Sequence, residues 1–149
     1  MMRKFLLAVP VVAAVSAATA IAAQAMTITL GQPSLSAKVA ITVPVTVSCA
    51  PPSNPSLPLS SAFVSVSVEQ AAGKQIAHGV ASLNFMGGPV PPPFTCDGTD
   101  QALNVTVLAD PSGAPFHGGQ VVVSASGSVS FGFIEGQSAS VGPTALHLH

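Results

Sequence analysis

The four histidines are the first side chains in this sequence whose type and spacing could do chemistry: His78, His117, His147 and His149. One residue separates His147 from His149, so on a β-strand their rings would share a face and could chelate a divalent metal. A structural or catalytic zinc site normally needs three or four ligands, and no spacing here supplies the others. We expect exposed histidines near the C-terminus and predict no metal; whether this pair binds one is left open by the sequence.

Three aspartates form the second candidate group, because Asp97, Asp100 and Asp110 fall in loops around one predicted strand. Grouped carboxylates can hold calcium or do acid–base work. However, Asp97-Gly98 and Asp110-Pro111 are also turn formers, whose side chains cap the local backbone. We therefore expect turns at these positions rather than a ligand site.

Nucleophilic and phosphate-binding motifs are missing from the sequence. Serines are numerous, but none lies in a Gly-x-Ser-x-Gly sequence. The paired glycines, Gly87-Gly88 and Gly118-Gly119, are not followed by a phosphate-binding lysine. We predict no catalytic residue, no cofactor and no enzyme activity.

The first 25 residues have the order of a secretory signal peptide. Arg3 and Lys4 form a basic start, Phe5–Ala23 is almost wholly apolar, and Ala23-Gln24-Ala25 places small residues where a signal peptidase reads them. We predict residues 1–25 to be a cleaved signal peptide. A retained anchor is the alternative, since about 20 apolar residues can span a bilayer.

Residues 26–149 then form one predicted domain, of ordinary size. Its formal charge is −3, because two lysines oppose five aspartates and glutamates. So few cations exclude a nucleic-acid interface and argue against capture by an anionic membrane. We expect a monomer that is secreted or held in the cell envelope, with an extracellular or cell-surface partner and no membrane span after signal cleavage.

The only two cysteines, Cys49 and Cys96, suit a disulfide in an exported chain. In the chain-entropy model, closing a loop of about 48 residues stabilises the fold by roughly 4 kcal/mol, an upper-end figure. Cys49 falls on the inward side of a predicted strand. Phe94 and Cys96 are predicted to begin the next set of inward-facing side chains. We therefore expect the bridge to connect two sheets.

Alternation of apolar and polar residues predicts β-strands along the whole domain. The predicted strands are Met26–Leu30, Ile41–Cys49, Ala62–Glu69, Gln75–Phe85, Leu103–Val107, Val121–Ser126, Ser128–Ile134 and Thr144–Leu148. Pro44 cannot donate to a ladder, so its strand should lie at an edge or carry a bulge. Ala50–Ser61 and Gly87–Pro93 hold four prolines each and are predicted loops.

About eight short strands separated by turn signals indicate an all-β sandwich. The predicted fold is an immunoglobulin-like sandwich of about 7–9 strands over residues 26–149. Its core should include five of the phenylalanines, since aromatic side chains contribute much of the burial in small domains. These are Phe85, Phe94, Phe116, Phe131 and Phe133.

The segments Val43–Cys49, Val64–Gln70 and Phe94–Thr99 resemble the uncharacterised immunoglobulin-like domains that many bacteria export. The resemblance spans about Val39 to Ala125 and implies an exported β-sandwich without a known activity. The chain departs from true immunoglobulin domains in lacking a core tryptophan. It also has Phe94 where those domains have a tyrosine, two residues before the second cysteine.

Two functions from different classes fit these features. The first is a non-catalytic binding or structural module. Its candidate contact surfaces are Ala50–Ser61 and Gly87–Pro93, because proline-rich loops lose little entropy on binding. The expected role of both loops is nevertheless simple connection of the strands. The second is a pilin-like subunit that assembles by strand exchange. Such a subunit needs an N-terminal arm of alternating large apolar residues, and this chain offers only Met26, Ile28 and Leu30.

Overall fold

The computed structural model describes residues 26–149; the predicted signal peptide, residues 1–25, lies outside the described residues. The described residues form eight β-strands: β1 (Thr27–Leu30), β2 (Ser34–Ala37), β3 (Ala40–Ser48), β4 (Leu59–Ala72), β5 (Gln75–Phe85), β6 (Gln101–Leu108), β7 (Gly119–Phe131) and β8 (Glu135–Leu148). Within this range, no helix is long and apolar enough to cross a lipid bilayer. The predicted all-β class is confirmed.

The first sheet, sheet A, is organised around β3, which is paired along both sides. β1 and β2 lie one after the other along one side, and β6 lies along the other, all antiparallel. The alternation that predicted β3 is confirmed, because Ile41, Val43, Val45 and Val47 are all buried. β2 was missed because its sequence, Ser-Leu-Ser-Ala, holds a single large apolar residue.

The prediction that Pro44 places its strand at an edge or on a bulge is wrong. Pro44 pairs with Asn104 in an unbroken ladder, and its carbonyl accepts a hydrogen bond from Gly31 N–H at 2.8 Å on the other side. Backbone N–H and C=O of one residue point to the same side of a strand. The missing donor of Pro44 therefore faces the gap between β1 and β2, where the ladder along this side of β3 is interrupted.

The second sheet, sheet B, has the order β5-β4-β7-β8 and is also antiparallel. Its strand β7 is continuous, whereas the sequence predicted two strands separated at Gly127. That glycine pairs with Val64 and Ala139 inside the sheet. A Cβ there would lie 2.8 Å from Met26 Cε and 3.0 Å from Ile28 Cδ1. Gly127 thus makes room for β1 instead of ending the strand.

The inward faces of the two sheets bury one shared hydrophobic core, which gives a sandwich-like arrangement. Valine dominates this core, and its β-branched side chain suits both a strand and close packing. The most deeply buried valines are Val43, Val45 and Val47 of β3, Val64, Val66 and Val68 of β4, Val105 and Val107 of β6, and Val121 and Val123 of β7.

The two sheets approach each other closely at one corner, where β5 meets β6. A Cβ on Gly79 of β5 would lie 2.3 Å from the carbonyl oxygen of Leu108, so only glycine fits. At the other corner, Leu35 N–H of β2 donates to His149 O, at 3.1 Å. These contacts cover parts of the sheet edges, which would otherwise be free to pair with other chains.

Candidate contact surface at the proline-rich end

Both predicted proline-rich loops lie at the same end of the molecule. The connection from β3 to β4 spans residues 49–58, and the connection from β5 to β6 spans residues 86–100. β4 begins where β5 and β7 end, since Ala62 pairs with Phe85 and with Val129. The turn between β7 and β8, residues 132–134, therefore belongs to this end as well. We call these three segments together the proline end.

The disulfide joins the two loops of the proline end. Cys49 and Cys96 are bonded, with their Cα atoms 4.7 Å apart, and Gly98 N–H donates to Cys49 O at 2.9 Å. The pairing is as predicted, but the expectation of a bridge between the sheets is wrong. Cys49 follows β3 and Cys96 lies in the loop before β6, and these two strands are neighbours in sheet A. The bridge therefore fixes one loop against the other.

Side chains of β8 hold the first loop in place. The side-chain amide of Gln137 donates to Ala50 O at 2.9 Å and accepts from Ala50 N–H at 3.2 Å. The Glu135 carboxylate accepts from the backbone N–H of Ser53 at 2.9 Å and from its hydroxyl at 2.7 Å. The loop thus reaches the hairpin β7–β8 with a defined conformation.

The second loop is ordered by local hydrogen bonds near the cysteine. Gln101 Oε1 accepts from Thr95 N–H at 2.9 Å. Asp97 Oδ1 accepts from the Thr99 hydroxyl at 2.6 Å and from its N–H at 2.9 Å. The Thr99 hydroxyl, followed by its backbone N–H, lowers the pKa of the Asp97 carboxyl below 3.8 by stabilising the charged form. The predicted Asp97-Gly98 turn is confirmed.

The hairpin turn at residues 132–134 exposes two large apolar side chains. Phe133 is 88 % exposed and Ile134 is 80 % exposed. Gly132 and Phe133 both have positive φ angles, 56° and 62°, and Ile134 N–H donates to Phe131 O at 3.2 Å. The prediction that Phe133 belongs to the core is wrong. The alternation of buried and exposed side chains along β7 ends at Phe131, its last residue. Phe133 lies in the turn beyond the strand.

Two further apolar side chains are exposed in the second loop of the same end. Met86 is 87 % exposed and Val90 is 68 % exposed. With Phe133 and Ile134 they are the exposed large apolar side chains of the proline end, and we call these four residues the apolar cluster. The charged residues of the segments around it are acidic: Asp97, Asp100 and Glu135. The proline end thus offers an apolar and mildly negative surface.

The predicted histidine candidates all lie away from the proline end. The rings of His147 and His149 share a face as expected, with centroids 4.8 Å apart. Among residues 26–149, no three His, Cys, Asp or Glu side chains come together in a way that could hold a metal ion. The structure therefore places the histidine pair together but assembles no larger site around it.

The predicted aspartate group is divided by the fold. Asp97 and Asp100 precede β6 and Asp110 follows it, so they lie at opposite ends of that strand. Asp110 Oδ1 accepts from Ser112 N–H at 2.9 Å and from its hydroxyl at 2.7 Å. These bonds, the backbone one first, lower the pKa of the Asp110 carboxyl below 3.8. Both turns are local caps, as expected.

The outer face of sheet B carries rows of serines that the sequence analysis did not single out. Ser65 pairs with Ser126, which pairs with Ser140, and each lies on the outward side of its strand. Phe63 is the aromatic side chain beside these rows, in a shallow depression with Ser128 and Ser138. The alternating serines of β4 and β7 were the available signal. They account for much of the polar surface of a chain with few charges.

Comparison with known proteins identified no relative. The chain matches no protein-family model. Neither a curated protein nor a solved structure matches it significantly.

Proposed function

We propose that residues 26–149 form an exported, non-catalytic and monomeric β-sandwich module that binds a protein partner outside the cytoplasm through the apolar cluster. The observation that carries this proposal is the position of Phe133. It is a bulky aromatic residue with a left-handed backbone, placed at a hairpin turn with 88 % of its surface exposed.

This position of Phe133 has a cost that the fold itself does not offset. A left-handed backbone costs an L-residue roughly 1–2 kcal/mol, and glycine or asparagine usually occupies such turns. The side chain buries little surface within the chain. Strained residues gather at functional sites, and clustered exposed apolar residues mark interaction surfaces. A partner that buries Phe133 and Ile134 would account for both features.

The chemistry around the cluster favours a protein over a lipid surface. Asp97, Asp100 and Glu135 lie in the flanking segments, and their charge opposes contact with anionic lipids. The disulfide and Gln137 hold the loops at Cys49, Cys96 and Ala50, so these flanking parts of the surface lose little conformational entropy on binding. Rigid apolar side chains within a polar rim are typical of protein interfaces.

The proposed compartment follows from the disulfide and from the apolar leader of the sequence. Structural disulfides persist in oxidising compartments, and a single Cys49–Cys96 bridge in a chain with a signal-like start suits export. We also infer a relationship to exported immunoglobulin-like domains. Two facing antiparallel sheets support that inference, while the bridge between the loops that flank β3 and β6 differs from the inter-sheet bridge of true immunoglobulin domains.

The alternative is a pilin-like subunit that exchanges strands between copies. In this structure β1 pairs with β3 of the same chain, through Thr27–Leu30 and Val45–Ser48. Met26 is 4 % exposed and Ile28 is 7 % exposed, so the arm already fills its own core. This arrangement favours the binding module.

Site-specific photo-cross-linking in the native host tests the proposal. Benzoylphenylalanine replaces Phe133 in the full-length chain, and in a control it replaces Val80, which is 55 % exposed on β5. We expect one protein adduct of defined mass from position 133 and none from position 80.

Competition makes this experiment specific. An excess of purified wild-type domain should suppress the adduct, whereas the Phe133→Ser/Ile134→Ser double variant should not. The proposal is wrong if position 133 gives no adduct, if both positions give the same adduct, or if the double variant competes as well as the wild type.

A further inference from the structure

A cavity of about 620 Å³ opens at the end of the sandwich opposite the proline end. It lies between the start of sheet A at β2, the β4–β5 turn and the loop that precedes β7. Apolar side chains make up most of its lining: Leu35, Ala72, Ala114, Pro115 and Phe116. The volume falls within the range of roughly 300–1,000 Å³ that small-molecule sites occupy.

The polar groups of this cavity are cationic or neutral. Lys38, Gln75 and His117 line it, and no aspartate or glutamate does. The domain as a whole is acidic and has only one other lysine, Lys74. A cavity that joins apolar walls to an ammonium group complements a molecule with an apolar body and a negative head.

The wall of the cavity is held in place by the interior of the protein. Gln70 is 2 % exposed, and its side-chain amide donates to His117 O at 2.7 Å and accepts from His117 N–H at 2.9 Å. The ring of His117 lies 2.8 Å from Gly118 O through Nδ1 and 3.2 Å from Ala71 O through Nε2. The site therefore needs little ordering when a ligand enters, which favours binding.

We propose that this cavity binds a small aliphatic carboxylic acid, with the chain against Leu35, Ala72 and Pro115 and the carboxylate near Lys38. This site is separate from the apolar cluster and does not depend on the function proposed for it. It adds a small-molecule ligand to the domain.

Calorimetric titration of the purified mature domain tests the inference, with decanoate as the probe and decanol as its uncharged analogue. We expect decanoate to bind at one site per chain and decanol to bind more weakly. Lys38→Gln should weaken decanoate binding about fivefold, as loss of one exposed charge pair does. The matched control Lys74→Gln, which alters a lysine outside the lining, should change the affinity by less than about twofold.

A second variant tests the cavity itself. Ala72→Leu fills the space and should reduce decanoate binding while the unfolding midpoint shows that the domain still folds. The inference is overturned if decanoate does not bind, if decanol binds as tightly, if the two lysine variants behave alike, or if folded Ala72→Leu binds like the wild type.

Discussion

At the residue scale, three glutamines act in place of backbone partners. Gln70, Gln137 and Gln101 each present one side-chain amide to both the N–H and the C=O of another residue. These backbone groups belong to His117, Ala50 and Thr95. In a chain with few charges, the neutral amide can satisfy a donor and an acceptor together, which an ionised carboxylate or ammonium cannot do. The loops are therefore fixed without buried ions.

Substitution of Gln70 tests this function of the amides. Gln70→Ala removes the partner of both backbone groups of His117 and empties the place of a side chain that is 2 % exposed. We therefore expect a loss of about 2–3 kcal/mol in the free energy of unfolding. Gln101→Ala removes a similar pair at an exposed site, where water replaces the amide, and should cost less than about 1 kcal/mol. Urea unfolding of both variants measures the difference. Equal losses would contradict the account.

The acidic turns give a prediction about pH. Because the Asp97 carboxyl has a lowered pKa in the folded state, its hydrogen bonds stabilise the fold above pH 3.8. That stabilisation is lost as the pH falls through the lowered value. Thr99→Ala should raise the pKa of Asp97 toward 3.8 and leave that of Asp110 unchanged. NMR titration of the side-chain carboxyl resonances measures both; no change at Asp97 would disprove the assignment.

Some of these residue contributions could be read from the sequence. The alternation of Val64, Val66 and Val68 extends to Gln70, so the sequence alone was sufficient to predict that the Gln70 side chain faces the core. The aspartate turns were predicted because their hydrogen bonds are local. The partners of Gln70 and Gln137 were not, because His117 and Ala50 are 47 and 87 residues away in the chain.

At the element scale, substitutions at Phe133 in the β7–β8 hairpin distinguish an effect on folding from an effect on binding. Asparagine tolerates a positive φ better than phenylalanine does. We expect Phe133→Asn to raise the free energy of unfolding by about 1 kcal/mol and to abolish competition in the cross-linking experiment. Phe133→Leu keeps an apolar side chain without relieving the backbone, so it should give no gain in stability and should retain some competition. Urea unfolding and adduct yield check the pair; stabilisation without loss of competition would argue against a binding role.

The disulfide gives a second prediction at this scale. The double variant Cys49→Ala/Cys96→Ala releases a loop of about 48 residues and should lower the free energy of unfolding by roughly 3–4 kcal/mol. Because the bridge lies at the proline end, the same variant should compete less well for the Phe133 adduct. Thermal unfolding of the oxidised wild type and the variant tests this, and an unchanged midpoint would show that the bridge contributes nothing to stability.

Strand positions were predictable wherever alternation was strong, as in β3, β4 and β6. The errors came from contacts between distant segments. Gly127 predicts a break between two strands, yet β1 packs over it and β7 continues. Pro44 predicts an edge or a bulge, yet its missing donor faces the gap between β1 and β2. Neither partner can be identified from local sequence. The expectation of a bridge between the sheets is wrong for the same reason, since the pairing of β3 with β6 joins segments that are distant in the chain.

At the scale of the whole molecule, the two ends differ in chemistry. The proline end carries the apolar cluster with Asp97, Asp100 and Glu135. Lys38 and Lys74 lie in turns at the opposite end, where Lys38 lines the cavity and Lys74 does not. The sheets between them are joined by a valine core and expose a serine-rich face. The fold therefore separates a proposed protein contact from a proposed small-molecule site along one axis.

The account depends most on the claim that the sandwich is complete within one chain and has its bridge closed. The most direct test is light scattering of the purified mature domain over a wide range of concentrations, combined with non-reducing mass spectrometry. We predict a monomer at every concentration. Its mass should be that of a chain beginning at Met26, less the two hydrogens lost on forming the Cys49–Cys96 bond. A ladder of oligomers that persists when Phe133 and Ile134 are replaced by serine would contradict it and would favour strand exchange.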